Sequence, residues 1–325
     1  MTITVLKPGL ATTVQDLGRP GYYHLGIPLS GALDQFSLRL ANRLVGNDEG
    51  AAGLECTLMA PVLRFEKDAL FAVAGAQLDI LLNGRALVAR TSHAAQAGDT
   101  LSFGFMKAGA RAYLAVAGGI DVPMVLGSRS TYGLGAFGGL EGRKLAVGDL
   151  LPVGSAGPAA AVGRTLPDDL DETPAKTQSL RVLPGLYFHR LESSAVDSFF
   201  ADRWTVASEA DRIGYRCKGG RPLAFTPRQQ PFGAGSDPSN LVDAGYPSGS
   251  VQVPSGTEPI ILHRDAVSGG GYAMIGTVIS ADMDRIAQMQ PGYKVQFVMV
   301  DMNQALEARA GQRQRLALLR AALPA

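Results

Sequence analysis

The sequence predicts a mainly β protein organised as two related barrel-like domains with few helices. Three observations carry this expectation. Short apolar or alternating runs recur along the chain, each bounded by Gly, Asn or Asp, the punctuation of strands joined by tight turns. Glycine supplies 40 of 325 residues, about 12% against the ~7% of an average globular protein, and follows no G-x-y period. Third, pieces of the first half resemble pieces of the second. Gly26-Ile-Pro-Leu-Ser-Gly31 matches Gly245-Tyr-Pro-Ser-Gly249, Leu70-Phe-Ala-Val-Ala-Gly75 matches Gly271-Tyr-Ala-Met-Ile-Gly276, and Ala97 to Phe103 matches Pro291 to Phe297. The first copy is the longer, consistent with a helix inserted into it. Chance similarity among glycine-rich turns is the other reading of such short matches.

Taken in order, Ala69 to Ala74, Leu78 to Leu82, Thr100 to Phe105 and Arg111 to Val116 read as strands of a first domain, residues 1–151. Asp34 to Val45 reads as its helix: Phe36, Leu40, Leu44 and Val45 share a face, Asp34 stands at the N-cap and Gly46 at the stop. Residues 152–178 lose apolar periodicity and are rich in Pro, Gly, Ala and acidic side chains, the composition of a linker. Leu180 to Leu183, Ile260 to His263, Ala273 to Ile279 and Tyr293 to Val300 read as strands of a second domain, residues 179–302. Residues 303–325 read as a C-terminal helix, with Leu306, Leu316, Leu319 and Leu323 among Arg309, Arg313, Arg315 and Arg320, an arginine run that reads as a solvated face.

Composition removes several function classes. Thirty basic against 29 acidic residues leave a net charge of +1, without the cationic footprint that nucleic acid or an acidic membrane requires. No apolar run approaches the ~18 residues of a membrane span, and the N-terminus has no export signal, so the expected location is cytoplasmic. Cys56 and Cys217 form no metal-type or redox pair, and the four histidines are scattered, so no metal is assigned. There is no phosphate-binding G-x-x-x-x-G-K-[ST] loop and no G-x-S-x-G nucleophile elbow. Gly133-Leu-Gly-Ala-Phe-Gly138 matches G-x-G-x-x-G, but no helix follows, and it reads as a turn. Phe105-Met-Lys107 has only part of the Met-Lys-Met pattern of a biotin carrier, so Lys107 reads as a hairpin-tip lysine.

Three stretches hold more polar chemistry than a fold needs. In Thr13 to Asp34, the residues Gln15, Asp16, Arg19, Ser30 and Asp34 lie among Gly18, Gly21, Gly26 and Gly31, an arrangement that lets side chains and amides converge on one small ligand. Arg19 suits a carboxylate or phosphate through its planar fork, or else pairs with Asp16. Asp34 is either a helix cap worth ~1 kcal/mol or a proton acceptor. Asn42 sits about 80° around the helix from Asp34 and can share its polar edge. In Ala117 to Lys144, hydroxyls at Ser128, Ser130 and Thr131 accompany Arg129 and Arg143, an anion-friendly loop or simply solvated turns. In Gly245 to Tyr272, Gln252 offers both donor and acceptor to an amide, with Asp265 and Tyr272 nearby in sequence.

The run TVQDLGRPGYYHLGIPLSGALDQFSLRLANRLVGN at 12–47, with LECT at 54–57, AVAGGIDVPMVLGSRSTY at 115–132, GGLEGRKLAVGD at 138–149 and GYPSGSVQVPSGTEPIIL at 245–262, resembles the biotin-dependent carboxyltransferase family, also termed allophanate hydrolase subunit 2 or KipA-like. The resemblance runs over about residues 5–302. It implies tandem cyclophilin-like β-barrel domains and a KipI-like (allophanate hydrolase subunit 1) partner. It further implies an ATP-dependent 5-oxoprolinase, which opens a cyclic amide to L-glutamate and is completed by a metal-dependent third subunit. ATP is then used with the partner subunit, and no biotin is carried covalently on this chain. The alternatives are the carboxyltransferase component of a urea carboxylase/allophanate system and a non-catalytic regulator that binds a KipI-type kinase inhibitor. Under the first reading Arg19, Arg129 and Arg143 serve anions, Gln15, Ser30, Asn42 and Gln252 orient the amide, Ser130 and Tyr272 complete the substrate site, and Asp34 or Asp16 accepts the proton.

Overall fold

The computed structural model describes residues 2–167, 170 and 174–324, and the rest of the 152–178 segment lies outside the described residues. The chain is mainly β and divides into two compact units: residues 1–19, 30–174 and 313–325 form one, residues 20–29 and 175–312 the other.

In the first unit all strand pairs are antiparallel, as expected where hairpins and turns connect neighbours. One sheet runs Leu150–Pro152, Thr2–Lys7, Val62–Phe65, Thr100–Phe103, Ile80–Leu82, Arg85–Leu87; the other runs Ala11–Gln15, Gly53–Thr57, Ala108–Val116, Ala69–Gln77, Ser92–Ala95. Alternation along Thr2–Lys7 sends Ile3 and Val5 fully inward, where they join Leu54, Leu63, Phe65, Phe71 and Leu114 in the core. The helix expected at 34–45 is α1, Gln35–Leu44. Asp34 caps it by accepting from the Ser37 amide at 2.9 Å, and Gly46 follows in the left-handed region. Phe36, Leu40, Leu44 and Val45 are all buried, and so are Leu38 and Ala41, because α1 is covered on more than one side.

The second unit contains a closed seven-stranded barrel: Thr177–Pro184, Met274–Val278, Ser250–Gln252, Ile260–Leu262, Gly214–Lys218, Trp204–Ala210 and Lys294–Met299, with the last strand parallel to the first. Trp204, Tyr215, Val251, Ile275, Val295 and Phe297 fill it. Strands Asn240–Gly245 and Gly269–Tyr272 pair separately. Two short helices, α2 (Ser193–Ala201) and α3 (Met283–Ala287), were not anticipated; α4 (Met302–Ala322) is the C-terminal helix. Of the matched segments, Leu70 to Gly75 lies within one strand, Ala69–Gln77, whereas Gly271 to Gly276 covers the end of Gly269–Tyr272 and the start of Met274–Val278.

Of residues 152–178, the described ones up to 167 and residue 170 are woven into the first unit, whereas Thr177 and Gln178 already open the first barrel strand of the second. Thr91 bridges Thr165, and Leu166 and Leu170 are buried beside α1. Nor is the arginine run of α4 uniformly solvated. Arg315 stacks 3.6 Å from the Phe36 ring centroid, and Arg320 reaches Glu49 at 2.7 and 2.9 Å.

Glu49, only 10% exposed, also meets Arg39 at 2.5 Å and Arg43 at 3.3 Å. The Arg320 hydrogen bond, helped by Arg39 and by both positive charges, holds its carboxyl down at about 2 although burial pushes it up. A depressed carboxylate stabilises the fold above its unfolded value of 4.5 and loses that contribution as pH falls toward about 2. Discounted for solvent screening at the arginines, the contribution is ~1–2 kcal/mol. Glu49→Gln therefore lowers the urea midpoint of the first unit near neutral pH, and the gap from wild type closes between about pH 4.5 and pH 2. An undiminished gap at the acid end contradicts this assignment.

Candidate functional site

The first unit brings two of the polar stretches together. Strand Ala11–Gln15 ends where the chain turns at Asp16, and residues 128–131 lie against that end: the Thr131 amide donates to the Val14 carbonyl at 2.9 Å. Asp16 is the hub. Its Oδ1 accepts from the Gly18 amide at 2.7 Å, Ser128 Oγ at 2.7 Å and Ser130 Oγ at 2.5 Å, while Oδ2 accepts from the Arg129 amide at 2.6 Å. Arg19, fully buried, donates from Nη2 to the Ser130 carbonyl and stacks 4.9 Å from the Phe137 ring centroid. Gly138 makes room for this: at φ +70, an added Cβ would fall 2.1 Å from the Ser130 carbonyl oxygen and 2.8 Å from Arg19 Nη2.

Ser30 closes the cluster. It is fully buried with φ 50, a left-handed conformation that a non-glycine residue keeps only when its surroundings impose it. The next residue, Gly31, packs so close that a Cβ would meet the Gly18 nitrogen at 2.6 Å, and the Ala32 amide donates to the Asp16 carbonyl at 2.8 Å. Ser30 Oγ and Gln15 Oε1 are buried with no hydrogen-bond partner among the described residues. Buried polar atoms of that kind are few in native proteins, and they mark this turn as a place for a polar ligand or water. Gln15 Nε2 is engaged by Thr13 Oγ1 at 3.0 Å and the Thr131 carbonyl at 3.2 Å.

Gln15, Asp16, Arg19 and Ser130 thus converge, Ser30 adjoins them through the backbone of Gly31 and Ala32, and Arg129 joins through its own backbone amide. The Arg129 guanidinium is turned to the Val122 carbonyl at 2.8 Å and Asp121 at 2.7 Å. Arg143 is elsewhere, forked onto Asp149 at 2.8 and 2.9 Å with Glu141 alongside; those hydrogen bonds raise its basicity and pin its own turn. Asn42 faces the loop after α1: its Nδ2 donates to the Ala51 carbonyl at 2.8 Å and its Oδ1 accepts from Asn47 at 3.0 Å. The two carboxylates expected as proton acceptors are both engaged. Asp34 Oδ1 and Oδ2 hold the Ser37 amide and hydroxyl at 2.9 and 2.6 Å, and Asp16 holds the four donors given above.

In the second unit Gln252 ends strand Ser250–Gln252, 7% exposed, and hydrogen-bonds the Tyr246 side chain. The Tyr246 hydroxyl donates to the Tyr272 carbonyl at 2.7 Å and accepts from the Tyr272 amide at 2.7 Å, while Tyr23, from segment 20–29, donates to the Tyr246 carbonyl. Burial pushes the phenols of Tyr23 and Tyr246 up, so both stay protonated donors at neutral pH. Sequence reasoning missed Tyr246 and Tyr23, although both lie inside the glycine-bordered motifs.

Burial likewise pushes the Cys56 and Cys217 thiols up to about 12, which removes them as nucleophiles. Among the described residues no group of three or more His, Cys, Asp or Glu is placed to hold a metal, and no helix is long and apolar enough to cross a membrane. A cavity of about 240 Å³ does open in the first unit, between Val73–Leu78, Ala89, Arg90 and Lys107, but none of the turn-cluster residues lines it. Lys107 does not sit at the hairpin tip expected: it lies in the connection between Thr100–Phe103 and Ala108–Val116, which belong to different sheets, and pairs with Asp79 at 2.6 Å.

Two mainly β units with polar side chains gathered on glycine-bordered turns define a class of tandem β protein. Residues 25–299 match the carboxyltransferase domain, subdomain A and B, and the chain belongs to that family. It is 38% identical to the C subunit of 5-oxoprolinase from Escherichia coli (strain K12) over 314 residues, 95% of either chain. It is 35% identical to urea amidolyase of Lachancea kluyveri over 324 residues, 95% of this chain but 17% of that one. The crystal structure of K. lactis urea amidolyase superposes with a TM-score of 0.91 at 34% identity, covering 98% of this chain and 20% of the longer one. This chain therefore spans about a fifth or less of the amidolyases it matches and nearly all of the E. coli protein.

Proposed function

We propose that this chain is the carboxyltransferase-family subunit of an ATP-dependent 5-oxoprolinase, working with a KipI-like subunit and a metal-dependent third subunit. The observation that carries this reading is the match, 95% of both chains, to the E. coli 5-oxoprolinase C subunit. The turn cluster supports it chemically, since 5-oxoproline bears a carboxylate and a lactam carbonyl. Arg19 suits the first, Ser30 Oγ can donate to the second, and Gln15 Oε1 can accept from the lactam N–H. Arg129, Arg143 and Asn42, whose side chains are committed elsewhere, are assigned to the framework, and Gln252 and Tyr272 to a second polar turn in the other unit.

A lactam is resonance-stabilised, and ATP is the co-substrate that activates it. Transfer of the γ-phosphoryl group to the carbonyl oxygen makes the carbon electrophilic. Water adds there, the C–N bond breaks with the nitrogen taking a proton, and a second water releases phosphate from the acyl phosphate. The sum is 5-oxoproline, ATP and two waters giving L-glutamate, ADP and phosphate. Donors held in place beforehand are what this chain contributes, positioning the carboxylate and stabilising charge on oxygen. Because Arg19 and Ser30 are shut from solvent here, ligand entry requires the turn that carries them to open.

The test is the assembled complex supplied with 5-oxoproline and ATP, and in parallel with urea and carboxybiotin. ADP and glutamate are expected from the first mixture only. Arg19→Ala should cut turnover ~100-fold or more while the variant still co-purifies with its partner. Product from urea alone transfers the chain to the amidolyase reading, and unaltered output with Arg19→Ala removes the turn cluster from catalysis.

A further inference from the structure

Beside the turn cluster lies a second buried polar group that the proposed reaction leaves unused. Glu55, in strand Gly53–Thr57, is 1% exposed, and Tyr113, on the neighbouring strand Ala108–Val116, is fully buried; the two face each other in register. Glu55 Oε2 accepts from the Tyr113 hydroxyl at 2.8 Å and from the Leu33 amide at 2.9 Å. The Tyr113 hydroxyl in turn accepts from the Asp34 amide at 2.8 Å. Arg111, 2% exposed, stands 3.4 Å from Glu55 Oε1 and supplies the countercharge that a buried carboxylate requires. The Tyr113 phenol is pushed well up, first by burial and then by the charges of Glu55 and Asp34, so it remains protonated and keeps donating to Glu55.

Two consecutive amides, those of Leu33 and Asp34, are thereby gripped from one side of the turn, while Ala32 is gripped from the other by the Asp16 carbonyl. Three successive backbone anchors sit immediately after Ser30 and Gly31, both left-handed at φ 50 and 83. A strained serine of this kind relaxes unless the flanking chain is over-determined. We propose that Glu55 and Tyr113 are positioning residues that hold Ser30 in its left-handed conformation, keeping its buried hydroxyl uncommitted for the carbonyl of a bound amide. This rests on the function proposed above only for the identity of that amide; the clamp itself is a property of this chain.

The primary variant is Tyr113→Phe, which keeps the ring's packing and takes away the acceptor used by the Asp34 amide. In the assembled complex the apparent KM for 5-oxoproline should rise about tenfold, as should that of Ser30→Ala, each through one lost hydrogen bond. If Tyr113 acts through Ser30, the double variant is no worse than either single change, because the two substitutions remove the same interaction. Multiplied effects overturn the proposal. A second measurement needs no activity: amide exchange across residues 29–36 should quicken about tenfold or more in Tyr113→Phe, with the barrel strands of the second unit unchanged as internal reference. Unaltered protection there also overturns it. If the wild-type complex fails to turn over 5-oxoproline, the proposed reaction fails alone, and the exchange result still decides the clamp.

Discussion

Asp16→Ala is expected to be among the most damaging single substitutions in the first unit. The carboxylate collects four donors from two segments of the chain, Gly18, Ser128 and Ser130 on one oxygen and the Arg129 amide on the other. Truncation leaves those donors facing a gap only 8% exposed at its rim. Each buried donor without its acceptor costs ~1–3 kcal/mol, and water entering the gap recovers part of that, so the expected loss is about 3–5 kcal/mol. Asp16→Asn separates stability from chemistry. It keeps an acceptor for the three donors on Oδ1 and opposes one N–H to another at Arg129, at a cost of about 1–3 kcal/mol. If Asp16 organises the turn, turnover by the complex falls in step with the urea midpoint, and Asn retains part of it. If Asp16 instead takes a proton in the reaction, Asn abolishes turnover although the midpoint falls by no more than that same cost. The paired measurement of midpoint and rate on both variants decides between these roles.

What made Asp16 visible in the sequence was company rather than geometry. Gln15, Asp16, Arg19 and Ser30 stand out as polar residues among closely spaced glycines, and so do Ser128 and Ser130. That the two stretches meet depends on a strand end and a loop more than 100 residues apart, and no local pattern encodes that contact. Arg143 shows the opposite error. Its anion, Asp149, is six residues away, but a free guanidinium and one folded back onto its own turn have the same sequence signature. Glu55 and Tyr113 were invisible for a third reason. They occupy strands buried on both faces, Tyr113 among the side chains packed around α1, where a tyrosine reads as core, and the direction of a buried hydroxyl is fixed only by what the fold brings opposite it.

The secondary structure was legible where a local rule has a strong period. Helix α1 came within a residue at each end because cap, apolar face and terminal glycine agree. Helix α3, five residues long, offers less than two turns of pattern, and α2 carries adjacent Phe199 and Phe200, which blur a helical stripe into a strand-like run.

The second large expected effect concerns α4. Removing residues 313–325 should destabilise the first unit by about 3–6 kcal/mol, because Leu319 and Leu323 are buried against α1 and each buried leucine contributes ~1.5–3 kcal/mol. Arg315, stacked on Phe36 and donating to the Leu170 carbonyl at 2.9 Å, adds a contribution of ~0.5–2 kcal/mol. Arg320 on Glu49 and Arg164 on the Pro324 carbonyl tie the same turns down. The expected signature is a fall of several degrees in the melting transition of the first unit, reproduced in smaller measure by Leu319→Ala. The opening turns of the same helix provide the contrast. Met302 is 59% exposed and Leu306 53%, so Leu306→Ala should shift stability by less than ~0.5 kcal/mol. An arginine-bearing helix that merely projects into water predicts two equally silent leucine substitutions. A helix whose last turns complete the cover over α1 predicts that Leu319→Ala alone is costly, and the difference between these two variants is the quantity to measure.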